Sequence, residues 1–411
     1  MTRLRWYIID LARSLWVRSS LFAVAGIASA VAGIVLEPLI PAAWSVRIGA
    51  ESIGNVLQIL ASSMLAVATF SLATMVSAYA GASSATTPRV TELLISDSSA
   101  QNALATFVGS FLFSLVGIIA LNAGVYGEGG RVVLFVGTLA VIVIIVLTLL
   151  RWIDLLARFG RVGDAIERVE TAASNAMRTQ ARNPCFGAHM RVGPPPGDAW
   201  VTSDRIGYIQ HIDLGALERV ATEGNGEIHL EAVPGSFVDL AQPLVWLDFA
   251  PDEEGVRSIR AAFDIGRDRS FDQDPRFGVV VLAEIACKAL SPAVNDAGTA
   301  IATLGALNRV LAILAEPPEE NRTVAYAHVF VPPIAVEDVF EDAFSSISES
   351  GAASLAVGIR LQKTLKSLHR MGSSEFRSAA VRQSQLALKR ARIALPLADD
   401  AARIEALALS D

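Results

Sequence analysis

Hydrophobic and polar positions are segregated along this chain. Before residue 151, uncharged runs of 18, 37, 30 and 19 residues cover positions 19–36, 52–88, 98–127 and 132–150. A helix needs about 20 residues to cross a hydrocarbon core. Each run therefore predicts one span, near 19–36, 54–80, 101–124 and 132–150. The 37-residue run ends in a Ser/Thr-rich exit over 81–87 rather than a second span. The run at 19–36 is too long for a signal-peptide core, and three more follow it. Residues 153–181 read as a helix continuing span four. The motif Gly193-Pro194-Pro195-Pro196-Gly197 then breaks the chain. Beyond it the alternation turns strand-like over 200–202, 207–210, 227–233 and 244–249, with a short helix at 214–222. From Arg276 onward the pattern is mostly helical, with a break at Ser291-Pro292 and a strand near 323–331. The expected fold is a four-helix membrane domain (19–152) preceded by a basic amphipathic segment (1–18). A connecting helix (153–192), a small β module (197–250) and a mostly helical region (251–411) follow.

Composition sharpens this picture. Of 411 residues, 52% are hydrophobic and 18% charged, and mean hydropathy is +0.46. Soluble domains carry about 25% charged residues, so a wholly soluble enzyme is excluded. The net charge of −7 argues against a nucleic-acid partner. Two cysteines, Cys185 and Cys287, cannot build a disulfide scaffold or a zinc cluster. Arg3, Arg5, Arg13 and Arg18 precede span one, and Arg151, Arg158 and Arg161 follow span four. By the positive-inside bias, both termini lie on the cytoplasmic side of the membrane.

Span two carries the most specific pattern. Asn55, Gln58, Ser62, Thr69 and Ser77 fall on one narrow face, with Ala66, Ala73 and Ala80 in the gaps. Small and hydroxyl residues commonly let membrane helices pack closely. The other use of such a face is to line a hydrated pathway. No span interior holds an acid or base, which argues against a proton-driven pump. Familiar catalytic sets are missing as well: the chain has no Gly-x-Ser-x-Gly, no phosphate-binding loop and no His-Glu-x-x-His. Cys185 and His189, four apart, form a lone pair, and His211 and His229 sit on expected β structure. No cofactor and no metal are expected.

A second constellation lies in the C-terminal half. Asp272-Gln273-Asp274, Phe277-Gly278 and the run Ser291-Pro292-Ala293-Val294-Asn295-Asp296 with Thr299-Ala300 form a distinctive set. With Phe70-Ser71, Pro88-Arg89, Asp97, Gln101, Leu104, Phe107 and Gly109 in the membrane half, it resembles the signature of a bacterial family of predicted membrane proteins catalogued as domain of unknown function 2254. The likeness covers nearly the whole chain. Two positions depart from the pattern: Ala297 stands where proline is usual, and span four exits through Arg151-Trp152-Ile153-Asp154. The resemblance brings membership and no activity. Asn295 or Asp296 is placed to cap a helix that begins after Pro292. Alternatively, the pair joins Asp272, Gln273 and Asp274 as oxygen ligands of a hard cation. Residues 200–250 also look like a barrel-sandwich hybrid of the biotinyl/lipoyl type. Covalent cofactor attachment is excluded there, because the first lysine is Lys288.

Charge is uneven near the C-terminus. Residues 358–394 hold nine bases and one acid, whereas 248–274 hold eight acids and four bases. The basic helices either dock on the acids or face solvent, anionic lipid or an anionic ligand. The reading that follows is a homo-oligomeric channel or transporter-like pore with a cytoplasmic regulatory region. The alternative is a non-conducting scaffold or sensor whose cytoplasmic region binds a partner or ligand.

Overall fold

The computed structural model describes residues 50–95, 98–158, 160–316 and 324–410, with isolated positions between 17 and 32. The expected amphipathic segment 1–18 and span 19–36 lie almost wholly outside the described residues. The chain forms two compact units. One contains the described residues up to Ser84 together with Thr91–Arg161, and the other contains Ala85–Val90 and Val162–Asp411.

The first unit is helical. Its helices are α1 (Ala50–Ala85), α2 (Pro88–Ile95, entered from the other unit), α3 (Ser98–Asn122) and α4 (Glu128–Arg158). At 1.5 Å per residue α1 is about 54 Å long, more than the roughly 30 Å of a hydrocarbon core. Ile53, Leu57, Met64, Ala68, Ser71, Met75 and Ala82 are buried along one seam of α1, and Leu57 lies against Gly117 of α3. The helix expected over 153–181 is two helices: α4 ends at Arg158 and α5 (Val162–Arg182) begins four residues later. Gly160 between them has φ +81°, a conformation open to glycine and costly for residues with a Cβ.

The second unit is α/β. After α5 come β1 (Ala188–Met190), β2 (Ala199–Thr202), β3 (Gly207–Ile212), α6 (Leu214–Glu223), β4 (Ile228–Leu230), β5 (Phe237–Val238), β6 (Pro243–Leu247), α7 (Glu253–Ala261) and β7 (Phe263–Gly266). Then follow α8 (Phe277–Ala289), α9 (Ala297–Leu314), β8 (Tyr326–Val331), α10 (Val336–Ser350), α11 (Leu355–His369), α12 (Ser374–Ala394) and α13 (Ala398–Glu405). The described strands do not close into a barrel and are arranged as two sheets. A five-stranded mixed sheet runs β1-β8-β4-β6-β2, and a three-stranded antiparallel sheet runs β5-β3-β7. β8 enters between β1 and β4, parallel to both, from about 80 residues beyond β6. That long-range insertion is why a local strand pattern over 197–250 does not close on itself. Ile209, Val245, Leu217 and Ile259 bring both sheets, α6 and α7 into one core. Helices α5 and α8–α13 form a second layer around Phe340, Phe344 and Phe376.

Four described helices are long and apolar enough to cross a membrane: Glu51–Ala85, Ser99–Asn122, Gly129–Ala157 and Ala297–Leu314. The first three correspond to expected spans two to four. The fourth is α9, which packs against α5, α8 and α11 in the α/β unit. Ala300, Leu304, Leu307 and Leu311 are fully buried there, and Arg309 of α9 donates to Glu170 of α5 at 2.5 Å. A helix apolar on most sides is what the interior of a helical layer requires, so α9 is a core helix.

Candidate functional site

Asn55, Gln58, Ser62, Thr69 and Ser77 are all exposed in the protomer, as are Ala66, Ala73 and Ala80 between them. At about 100° per residue, this face is centred about 160° from the buried seam of α1. It therefore turns away from the buried seam of α1. Ile59, 66% exposed, and Val76, 60% exposed, interrupt it. The Ser62 hydroxyl donates to the Gln58 carbonyl at 3.0 Å, and the Thr69 hydroxyl to the Ala66 carbonyl at 2.9 Å. Helix carbonyls thus satisfy both hydroxyls locally. The carboxamides of Asn55 and Gln58 make no hydrogen bond among the described residues.

The C-terminal signature is built into a joint between the sheets and the helical layer. Asp274 is buried, its side chain 1% exposed, and accepts from Arg269 Nε at 2.7 Å through Oδ2. Its Oδ1 accepts from the backbone N–H groups of Arg276 and Phe277 at 3.0 and 3.1 Å, the start of α8. Burial pushes this carboxyl above the usual range, opposed by the Arg269 guanidinium and the two N–H groups. Gly235, at φ +90°, fits against the carboxylate only without a side chain, since a Cβ would lie 2.3 Å from Oδ2. Gln273 Oε1 accepts from Ile212 N at 3.0 Å, which ties the same loop to β3. Arg276 continues the joint to α10, donating to Asp342 at 2.7 Å and to Asp338 at 2.9 Å.

Asp296 sits apart from this joint in role. Its carboxylate accepts from Thr299 N at 3.1 Å and from the Thr299 hydroxyl at 2.6 Å, capping α9. These bonds hold its carboxyl below the usual range. Asn295 precedes it at φ +51°, a left-handed conformation that asparagine tolerates better than most residues. Ser291 accepts through its carbonyl from Asn295 N at 2.8 Å, and exposed Pro292 lies inside that turn. Asp272 is exposed. Asp274 and Asp296 thus cap two different helices. Among the described residues no group of three or more His, Cys, Asp or Glu is arranged to hold a metal ion.

One feature of the sheet went unread in the sequence. His189, Phe330, His229, Trp246 and Trp200 are register neighbours across all five strands. His189 and His229 both stack on Phe330, with centroids at 5.1 and 4.5 Å, and Trp200 lies 5.5 Å from Trp246. The inward neighbours Val201, Ile228, Val245 and Val329 belong to the core. The signal was present as period-two alternation with a ring side chain at one outward position on each strand. Its assembly depends on β8, whose pairing is not local.

Three apolar helices in one unit and an α/β region with mixed sheets and C-terminal helices in the other define a multi-pass membrane protein with a large non-membrane part. The chain belongs to the family described as predicted membrane protein (DUF2254), whose pattern it matches over residues 12–367. It is 26% identical over 256 residues to an uncharacterized protein of Mycobacterium bovis and, to the same extent, to one of Mycobacterium tuberculosis. Each match covers 59% of this chain and 49% of the relative, so the match takes in about half the length of these curated relatives. No solved structure matches it.

Proposed function

We propose that this protein is a homo-oligomeric channel or transporter-like pore of the bacterial inner membrane, regulated by its C-terminal α/β unit. The observation that carries the reading is the polar face of α1, exposed along its length and opposite the packing seam. In hydrocarbon an unpaired amide costs roughly 2–7 kcal/mol, so Asn55 and Gln58 disfavour a lipid-facing α1. Several copies arranged around a hydrated axis would satisfy them. Both termini face the cytoplasm in this reading. The basic residues flanking the membrane region support that orientation. So does Arg89, which lies between spans two and three and donates to Glu284 of α8 at 2.6 Å. The joint around Asp274 and the cap at Asp296 are structural in this account.

A non-conducting scaffold is the second reading, favoured by the Ser62 and Thr69 hydroxyls already bonded within α1. Ion or solute flux in reconstituted vesicles separates the two. The pore reading expects flux in the wild type, and expects Ser62→Leu or Thr69→Leu to abolish it without changing the oligomer. Absence of wild-type flux under varied salt, voltage and tension, with an oligomer that Leu substitution breaks, selects the scaffold.

A further inference from the structure

Helix α11 has two opposite faces. Val357, Leu361, Leu365 and Leu368 are buried in the helical layer. Arg360, Lys363, Lys366 and the C-cap residue Arg370 are exposed on the other side. No acidic residue lies within α11, and none of the four cations has an ion-pair partner among the described residues. Two bases of the neighbouring helix are paired instead: Arg382 with Glu337, and Arg392 with Glu405 at 2.6 Å. Met371, 43% exposed, extends the α11 face with an apolar side chain. Two of the chain's four lysines stand on this one face.

We propose that the basic face of α11 docks on anionic phospholipid headgroups of the bilayer that carries the protein. Three arguments favour this occupant. Charge complementarity is direct, because a solvent-facing basic helix with no internal acid matches an anionic surface. Supply is assured, because the chain belongs to a membrane-protein family and only three residues separate Arg158 of α4 from the start of α5. The long Lys and Arg side chains with a flanking methionine have the mixed character of an interfacial contact. Each basic side chain near such a surface is worth about fivefold in partition, so neutralising three of them weakens docking about a hundredfold. The proposal is independent of whether the membrane unit conducts.

The test uses full-length protein in nanodiscs of phosphatidylcholine alone or of an equal mixture with phosphatidylglycerol. Ala356, exposed in the first turn of α11, is replaced by cysteine in a Cys287→Ser background and carries a fluorophore. Cys185 is buried. Lipid spin-labelled on its headgroup then reports headgroup proximity by quenching. Docking predicts stronger quenching with phosphatidylglycerol, lost at high salt and lost in Lys363→Gln/Lys366→Gln/Arg370→Gln. Lys363→Arg/Lys366→Arg should retain it. Ala356, Lys363, Lys366 and Arg370 are exposed and Cys287 is half-buried, and an unchanged melting temperature confirms folding of each variant. Equal quenching in both lipids, or quenching indifferent to the glutamine variant, overturns the proposal. If the glutamine variant instead shifts oligomer mass and leaves quenching unchanged, the face belongs to a second copy and the lipid assignment is wrong.

Discussion

Replacing Asp274 by alanine removes one carboxylate from three donors at once. Arg269 Nε at 2.7 Å loses its partner, and the N–H groups of Arg276 and Phe277 lose the cap of α8. Removing one member of a buried pair costs about 3–5 kcal/mol. The Arg269 side chain is 19% exposed, so its guanidinium still reaches water and the lower figure applies. Loss of the cap adds about 1 kcal/mol, for a total of about 4 kcal/mol. At about 2–4 °C per kcal/mol for a unit of this size, the melting temperature falls by about 8–16 °C. Intrinsic fluorescence of the detergent-solubilised full chain measures this, with Trp200 and Trp246 inside the unit. Asp274→Asn keeps an acceptor for the helix but loses the charge on Arg269, and should cost about half as much. Gly235→Ala is destabilising by itself, because its Cβ meets the same carboxylate and its φ is +90°. The Gly235→Ala/Asp274→Ala double variant should be less destabilised than the sum of the singles, since the clash leaves with the carboxylate. An alanine variant within about 0.5 kcal/mol of wild type, or strict additivity in the cycle, would refute the joint. A melting temperature lowered by EDTA would replace it with a cation site.

Three further outcomes are expected. Asp296→Asn should be nearly neutral and Asp296→Ala should cost about 1 kcal/mol in the same melts, because asparagine caps about as well as aspartate. Burial holds the His211 and His229 imidazoles below their usual pKa, against nearby carboxylates including Glu227 at His229. Stability from these two groups is therefore full above about pH 6.5 and is lost as pH falls toward their folded-state values, because the unfolded chain takes up the protons first. His211→Gln/His229→Gln should flatten the acid side of the stability profile, and an unchanged slope would contradict it. Reporter fusions after Arg161 and at the C-terminus should read cytoplasmic and one at Ala50 periplasmic, and the reverse pattern would overturn the orientation.

Legibility in the sequence followed the range of the forces involved. Span-sized helices were readable because hydrocarbon imposes length and polarity on contiguous residues. Helix Leu214–Glu223 and strands Ala199–Thr202 and Pro243–Leu247 were readable because alternation and periodicity are local. A helix start at Asn295-Asp296 was readable because capping acts over three residues, and the structure puts the cap on Asp296. The two sheets were not readable, because Tyr326–Val331 enters between strands far earlier in the chain. Helix Ala297–Leu314 is long and apolar enough for a span by composition alone, and only its packing against α5, α8 and α11 makes it a core helix. The polar face of α1 was legible as a pattern, but its exposure required knowing which side the seam occupies. The fit of Asp274 to Gly235 and its pairing with Arg269 needed the fold.

The central claim is that the polar face of α1 meets water within an oligomer. Single cysteines at Ser62 and Thr69 should react with a membrane-impermeant thiol reagent in reconstituted vesicles, in the Cys287→Ser background. A control cysteine at Val143, 57% exposed on the apolar α4, should stay unreactive. Native mass of the same sample should exceed one chain. Protection of Ser62→Cys and Thr69→Cys equal to that of Val143→Cys, or a monomeric mass, would contradict the account.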